Sequence, residues 1–172
     1  MNDHHDIRAS QRLHWLREVL GNPLVGLERA STDAGHRSYW RTTGLQPSRI
    51  VMDAPPGLED VGRWLAIGDR LAAAGVRVPQ VLARNLAGGF LLLEDLGGPT
   101  LAQSLTNETA DAGMQAAFGQ LITLQQMPVT ADLPRFDEAL LLRDAGLFEQ
   151  WFVQRHLGLQ LDCGDLETLQ LG

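Results

Sequence analysis

The sequence predicts an α+β protein organised in two lobes. Segments of extended character are gathered in the first half of the chain, and everything after Gly97-Gly98-Pro99 carries helical periodicity. The order of elements is helix, three strands, helix, two strands and then helices alone, which lacks the βαβα alternation of a doubly wound sheet. The run Phe90-Leu91-Leu92-Leu93 is continuously apolar, with Gly88-Gly89 before it and Glu94-Asp95 and Gly97-Gly98 after it. A short apolar run between turn signals is a strand buried on both faces.

Each element has its own local cause. Asp3 or Asp6 caps a first helix running to about Leu20, with Leu13, Leu16 and Leu20 on one face, Trp15 and Val19 beside it, and Gly21-Asn22-Pro23 as its stop. A strand is expected over 24–30. A loop of small polar residues over 31–35 follows, because such side chains compete for local backbone hydrogen bonds. Strands over 38–42 and 49–52 complete an antiparallel meander. Ala54-Pro55-Pro56-Gly57 ends it, and a helix over 58–74 follows, with Val61, Trp64, Leu65 and Leu71 buried and Gly75 just past its end. Pro79 confines a short strand over 78–83 to a sheet edge or a strand start. Beyond the glycine-rich junction, helices are expected over 101–105, from a cap at Asn107 to about Gln126, and over 136–156, the last ended by Gly158.

Composition narrows the function classes. The chain has 172 residues, 44% of them hydrophobic and 20% charged, the profile of a soluble globular protein. Its formal net charge of −7 argues against a non-specific nucleic-acid binder. The one cysteine, Cys163, permits neither an internal disulfide nor a thiolate zinc cluster, and fits a reducing compartment. The N-terminus lacks the basic start and apolar core of a signal peptide, and no apolar run approaches the length of a membrane span. A cytoplasmic protein with no nucleic-acid or membrane partner is expected. His4-His5 is a solvated pair, since a metal site needs a third ligand.

Three segments carry a family resemblance. Thr32-Asp33-Ala34-Gly35-His36-Arg37-Ser38-Tyr39-Trp40-Arg41, Ile50-Val51-Met52-Asp53-Ala54-Pro55-Pro56 and Phe90-Leu91-Leu92-Leu93-Glu94-Asp95-Leu96-Gly97 resemble the aminoglycoside phosphotransferase family, whose fold is protein-kinase-like. Within it they are most similar to bacterial kinases that phosphorylate the anomeric hydroxyl of N-acetylmuramate and N-acetylglucosamine in cell-wall recycling. Residues 147–159 resemble a helix that follows in those enzymes. The resemblance implies a nucleotide-binding lobe over 1–96, made of a five-stranded antiparallel sheet plus a helix. It then implies a hinge and the first helices of a helical lobe over 97–172. It implies ATP and Mg2+ as cofactors and a small-molecule sugar as substrate.

The resemblance also assigns roles. The loop with Asp33, Ala34, Gly35 and Arg37 lies over the nucleotide phosphates, where small residues let backbone N–H groups approach phosphate oxygens. The family often has Gly where Thr32 stands and Ser where Gly35 stands, which leaves backbone contact intact and puts side-chain contact in question. Met52 stands where kinases carry a phosphate-pairing lysine; it is either a core filler or a wall of the adenine slot. By strand alternation Arg49 faces away from Met52. Arg37 and Arg41 are expected as solvated strand-end residues, and Glu59 as a charge that favours a helix N-terminus. Adenine is held by the carbonyl of Glu94 and the N–H of Leu96, with Leu93, Phe90 and Leu92 helping to wall the slot.

No His-Gly-Asp-like catalytic loop is found in the chain, so residues 1–172 are expected to be the N-terminal part of a longer enzyme, with no catalytic residue and no metal ligand of their own and no activity alone. Two other classes stay open: a non-catalytic nucleotide-binding module, favoured by Met52, and a kinase for an aminoglycoside, choline or homoserine.

Overall fold

The computed structural model describes residues 3–31, 35–130, 132–133, 135–161 and 164. Helix α1 (Asp3–Leu20) leads into strands β1 (Gly26–Ser31), β2 (Ser38–Thr43) and β3 (Arg49–Asp53). Helix α2 (Val61–Ala73) separates them from β4 (Val81–Asn85) and β5 (Phe90–Glu94). Helices α3 (Leu101–Ser104), α4 (Ala110–Gln125) and α5 (Glu138–Leu147) follow, and α5 runs into a π-helical segment, Phe148–His156. The chain forms two compact units, Met1–Met127 and Pro128–Gly172. Among the described residues no helix is long and apolar enough to cross a membrane.

The five strands form one antiparallel sheet in the order β1-β2-β3-β5-β4, so the last strand in sequence is inserted beside β3 near the centre. Period-two alternation divides the sheet's side chains between two helices. Val51, Phe90 and Leu92 pack with Trp15 and Leu16 of α1, and Trp15 stacks on Phe90 at 5.6 Å between ring centroids. Met52, Leu91 and Leu93 pack on the other face with Val61 and Leu65 of α2.

The buried face of α1 also carries charge. Arg12 is 5% exposed, beside Trp15 and Leu16. It is tolerated there because Asp53, at the end of β3, receives hydrogen bonds from Arg12 Nη1 at 2.6 Å and from Arg8 Nε and Nη2 at 2.8 and 2.6 Å. A buried charge must be paired and hydrogen-bonded. Apolar periodicity alone predicts Val19 beside the buried stripe, yet it is 42% exposed.

Several boundaries move for local reasons. Helix α2 begins at Val61, three residues later than the apolar pattern suggests, because Asp60 caps it by accepting from Arg63 N at 2.9 Å. Glu59 therefore precedes the helix. Thr109, not Asn107, is the N-cap of α4. The helix expected over 136–156 is α5 followed by the π-helical segment.

One glycine fixes the entry to β5. Gly89 has φ +70°, and its carbonyl accepts from Ala54 N at 2.8 Å. A Cβ at this position would lie 2.0 Å from the carbonyl oxygen of Ala54, which is backbone and cannot swing aside. Gly89→Ala is therefore expected to lower stability by at least about 2 kcal/mol, read as a shift in urea midpoint of the full chain. An unchanged midpoint would show that the β3–β5 junction relaxes freely.

Candidate functional site

The site is built where β5 leaves the sheet. In an extended chain neighbouring side chains point to opposite faces, and Glu94 and Asp95 diverge accordingly. Glu94 turns to the β4 side, where Arg77 Nη2 and Nη1 donate to its two oxygens at 2.6 and 3.0 Å and Gln80 N donates at 3.1 Å. The Arg77 guanidinium, then the Gln80 N–H, hold the Glu94 carboxyl below its ordinary range. Asp95 turns to the β2–β3 side. Arg41 donates to it from Nε at 2.7 Å and Nη2 at 3.2 Å, Ser48 Oγ at 2.7 Å and Gly97 N at 2.9 Å. These bonds, Arg41's first, hold the Asp95 carboxyl far below the usual carboxylate range against the opposing effect of burial. Both carboxylates thus serve as clamps, and the chain where β5 ends is held from both sides.

Leu96, the next residue, is 57% exposed. Its N–H makes no hydrogen bond among the described residues, so an unpaired donor follows the clamped pair. Beside it, Leu93 is 3% exposed and Met52 has no exposed surface. Met52 lies against Tyr39 and Leu91 in register and packs with Val61 and Leu65, in the core between sheet and α2. Ile50, Tyr39 and Trp64 are the partly exposed apolar residues of the same face.

At the other end of the sheet, Asp33 and Ala34 lie outside the described residues. Gly35 and His36 are exposed in the β1–β2 connection. Arg37, just before β2, brings its Nε to 3.6 Å from Glu59 Oε2. Arg37 and Arg41 are therefore not the solvated residues that exposure habits suggest, since each holds a carboxylate and is only about a third exposed. Sequence reasoning misses these pairs because the partners lie far apart in the chain, 54 residues for Arg41 and Asp95. Glu59 likewise serves as Arg37's partner and not as a first-turn helix charge. Arg49 lies on the face opposite Met52, and its N–H is bound by Thr42 Oγ1 at 2.8 Å.

The cations available here are all guanidiniums, because the chain contains no lysine. Among the described residues no three His, Cys, Asp or Glu converge as metal ligands. A larger open groove of about 750 Å³ runs between α2 and β4 and is walled by Trp64, Ile67, Leu71, Val76 and Leu82; its polar edge, Arg77 and Gln80, is the same pair that grips Glu94.

A five-stranded antiparallel sheet covered by two helices and followed by further helices is the fold that comparison with known proteins assigns to a family. Residues 26–170 match the phosphotransferase enzyme family, APH, and the chain belongs to that family. It is 40% identical over 96% of its length to an N-acetylmuramate/N-acetylglucosamine kinase of Pseudomonas putida, covering 52% of that protein. It is 44% identical to the kinase of the same name from Pseudomonas aeruginosa, over 81% of this chain and 41% of that one. A third, from Neisseria meningitidis, is 35% identical over 86% of this chain and 45% of its own length. The chain thus spans about half the length of the curated relatives it matches.

The clamp has a pH signature. A carboxyl whose folded pKa is depressed contributes stability that is fully present above its unfolded pKa, about 3.9, and is lost as pH falls below it. Asp95→Asn is expected to destabilise the protein by about 2 kcal/mol at neutral pH. The gap from wild type should narrow as the pH drops below about 4, as measured by urea unfolding across pH. A gap independent of pH would mean that Asp95 acts by shape and not by charge.

Proposed function

We propose that this chain is the nucleotide-binding part of an ATP-dependent kinase that phosphorylates the anomeric hydroxyl of an amino sugar, N-acetylmuramate or N-acetylglucosamine. The observation that carries this is the match to kinases of that name along nearly the whole chain, on a sheet whose strand β5 ends in a clamped carboxylate pair followed by an unpaired N–H.

In this reading the functional division falls at 96/97, with the nucleotide lobe before it and the helical lobe after it. Leu96 N–H and the Glu94 carbonyl hold the adenine edge. Their geometry is set before binding by the Arg77 and Arg41 clamps, which lowers the ordering cost of binding. Ile50 and Tyr39 offer apolar surface to the base, while Met52 and Leu93 lie beneath them as support. Asp33, Ala34 and Gly35 bring backbone N–H groups to the phosphates. Arg37, oriented by Glu59, supplies the positive charge that a lysine gives in other kinases. ATP, when bound, supplies the phosphoryl group. The divalent cation used in such transfers, like the base that takes the sugar hydroxyl's proton, belongs to the part of the relatives' length that this chain does not span. ATP as donor places the protein in the cytoplasm.

The absence of lysine favours one other reading, a nucleotide-binding module without catalysis. A single assay separates the two. A longer protein that carries this chain together with the remaining length of its relatives is expected, with ATP, to phosphorylate N-acetylmuramate or N-acetylglucosamine, seen as an anomeric phosphate doublet by phosphorus NMR, and to leave kanamycin, choline and homoserine unmodified. ATP binding without transfer to any amino sugar would establish the module instead. Residues 1–172 alone should show no turnover. Leu96→Pro, which deletes one N–H, should raise the KM for ATP about tenfold; an unchanged KM would remove Leu96 from the adenine contact.

A further inference from the structure

The sheet has two edges, and they differ. β1 carries exposed Glu28 and Arg29, charges of the kind that keep an edge strand from pairing with another chain. β4 is the other edge, paired among the described residues with β5 alone, and it exposes Val81 and Leu82. Such an edge presents a row of N–H and C=O groups that a further strand can use. The register shift between Val81 and Ala83 leaves its regular stretch short. Main-chain pairing alone would not hold a second strand there, so side chains beside the edge must contribute.

Those side chains line the groove between α2 and β4, which lies wholly within the unit Met1–Met127. Val81 and Arg84 stand opposite Leu93 and Leu91, hence on the face that α2 covers. Ile67 and Asp69 line the groove from α2. Its charges are of both signs. Arg77 is spent on Glu94 and on the carbonyl of Val78. Asp69 and Arg84 are exposed, and neither side chain has a hydrogen bond or ion pair among the described residues. One unpaired anion thus comes from the helix wall and one unpaired cation from the strand wall of the same apolar groove.

A patch of that composition is complementary to itself. A two-fold interface uses one surface twice, so that residue i meets j while j meets i. A strand that pairs with its own copy across a two-fold axis runs antiparallel to it, as every pair of neighbours in this sheet already does. Arg84 lies one residue from the middle of β4, close to such an axis and within reach of the second copy's helix.

We propose that β4 and the groove beside it form the interface of a homodimer. The two β4 strands pair antiparallel, Ile67, Val81 and Leu82 are covered, and Asp69 of each copy meets Arg84 of the other. The apolar residues supply the burial, and the two charge pairs set the register and select the partner.

The test is the mass in solution, by size exclusion with light scattering, of the longer protein that carries this chain together with the remaining length of its relatives. A dimer is expected. Asp69→Arg and Arg84→Asp each place two pairs of like charges across the axis, and each should weaken dimerisation at least about tenfold. Both positions are exposed, so neither change should disturb the fold. Mixing the two variants should restore the dimer, because every contact between them then joins opposite charges. Three results would overturn the interface. A monomeric wild type would mean that the groove is open or is covered by the rest of the same chain. A dimer indifferent to both substitutions would place the contact elsewhere. Variants that stay apart when mixed would show that Asp69 and Arg84 do not meet.

Discussion

A strand whose side chains are apolar on both faces can sit only where both faces are covered, and β5 imposes that constraint on the whole first unit. Phe90 and Leu92 require α1 on one side, while Leu91 and Leu93 require α2 on the other. Each such side chain contributes about 1.5–3 kcal/mol when fully buried. A one-residue slip would exchange one apolar set for the other, so burial demands the two covering helices while the register rests on how these particular side chains fit, Phe90 against Trp15 among them. The same alternation then delivers Glu94 and Asp95 to opposite sides at the strand's end, within reach of Arg77 and Arg41. The clamped segment next to Leu96 is a consequence of how the core is packed.

The charged contacts divide by burial. Asp53 with Arg8 and Arg12 lies in the interior, where desolvation offsets much of the attraction and the net gain over an apolar core is small. Its effect is positional: it sets where α1 crosses the sheet, because moving the helix by a turn would strand a buried charge. Arg77 with Glu94 is largely in solvent, where a single exposed pair is worth little. Its value comes from geometry, since both guanidinium nitrogens and a backbone N–H converge on one carboxylate. Asp95 lies between these cases, with a nearly buried side chain and an arginine that is a third exposed.

How much of this was legible in the sequence follows from the range of each interaction. The sheet, its two covering helices and the place of β5 are visible as periodicity and as glycine and proline punctuation, because those signals are local. The displaced start of α2 depended on one capping side chain, Asp60, which competes with an apolar pattern that begins earlier. The break between α5 and the π-helical segment has no marker of its own in the helical spacing. The arginine–carboxylate pairs were invisible for a different reason. Exposure statistics describe a residue type averaged over surfaces, whereas Arg12, Arg37 and Arg41 are placed by chain segments that meet only in the fold. The resemblance of three segments to a phosphotransferase family supplied what periodicity could not, the family to which the chain belongs.

The missing lysine is then a question of packing. Met52 has no exposed surface and is enclosed by Ala54, Val61, Leu65, Leu91 and Leu93. A lysine in that position needs a carboxylate close by, and α2 offers none in its first turn, since Asp60 is the cap and Glu59 precedes it. Glu59 instead meets Arg37 from the connection ahead of β2. A guanidinium reaching in from the loop side keeps the positive charge near the β1–β2 connection without burying it in the α2 core. It also leaves the strand position free for an apolar side chain that tightens the sheet against its helix. In this fold the exchange of lysine for methionine on β3 and the pairing of Arg37 with Glu59 are two parts of one arrangement, and neither is economical without the other.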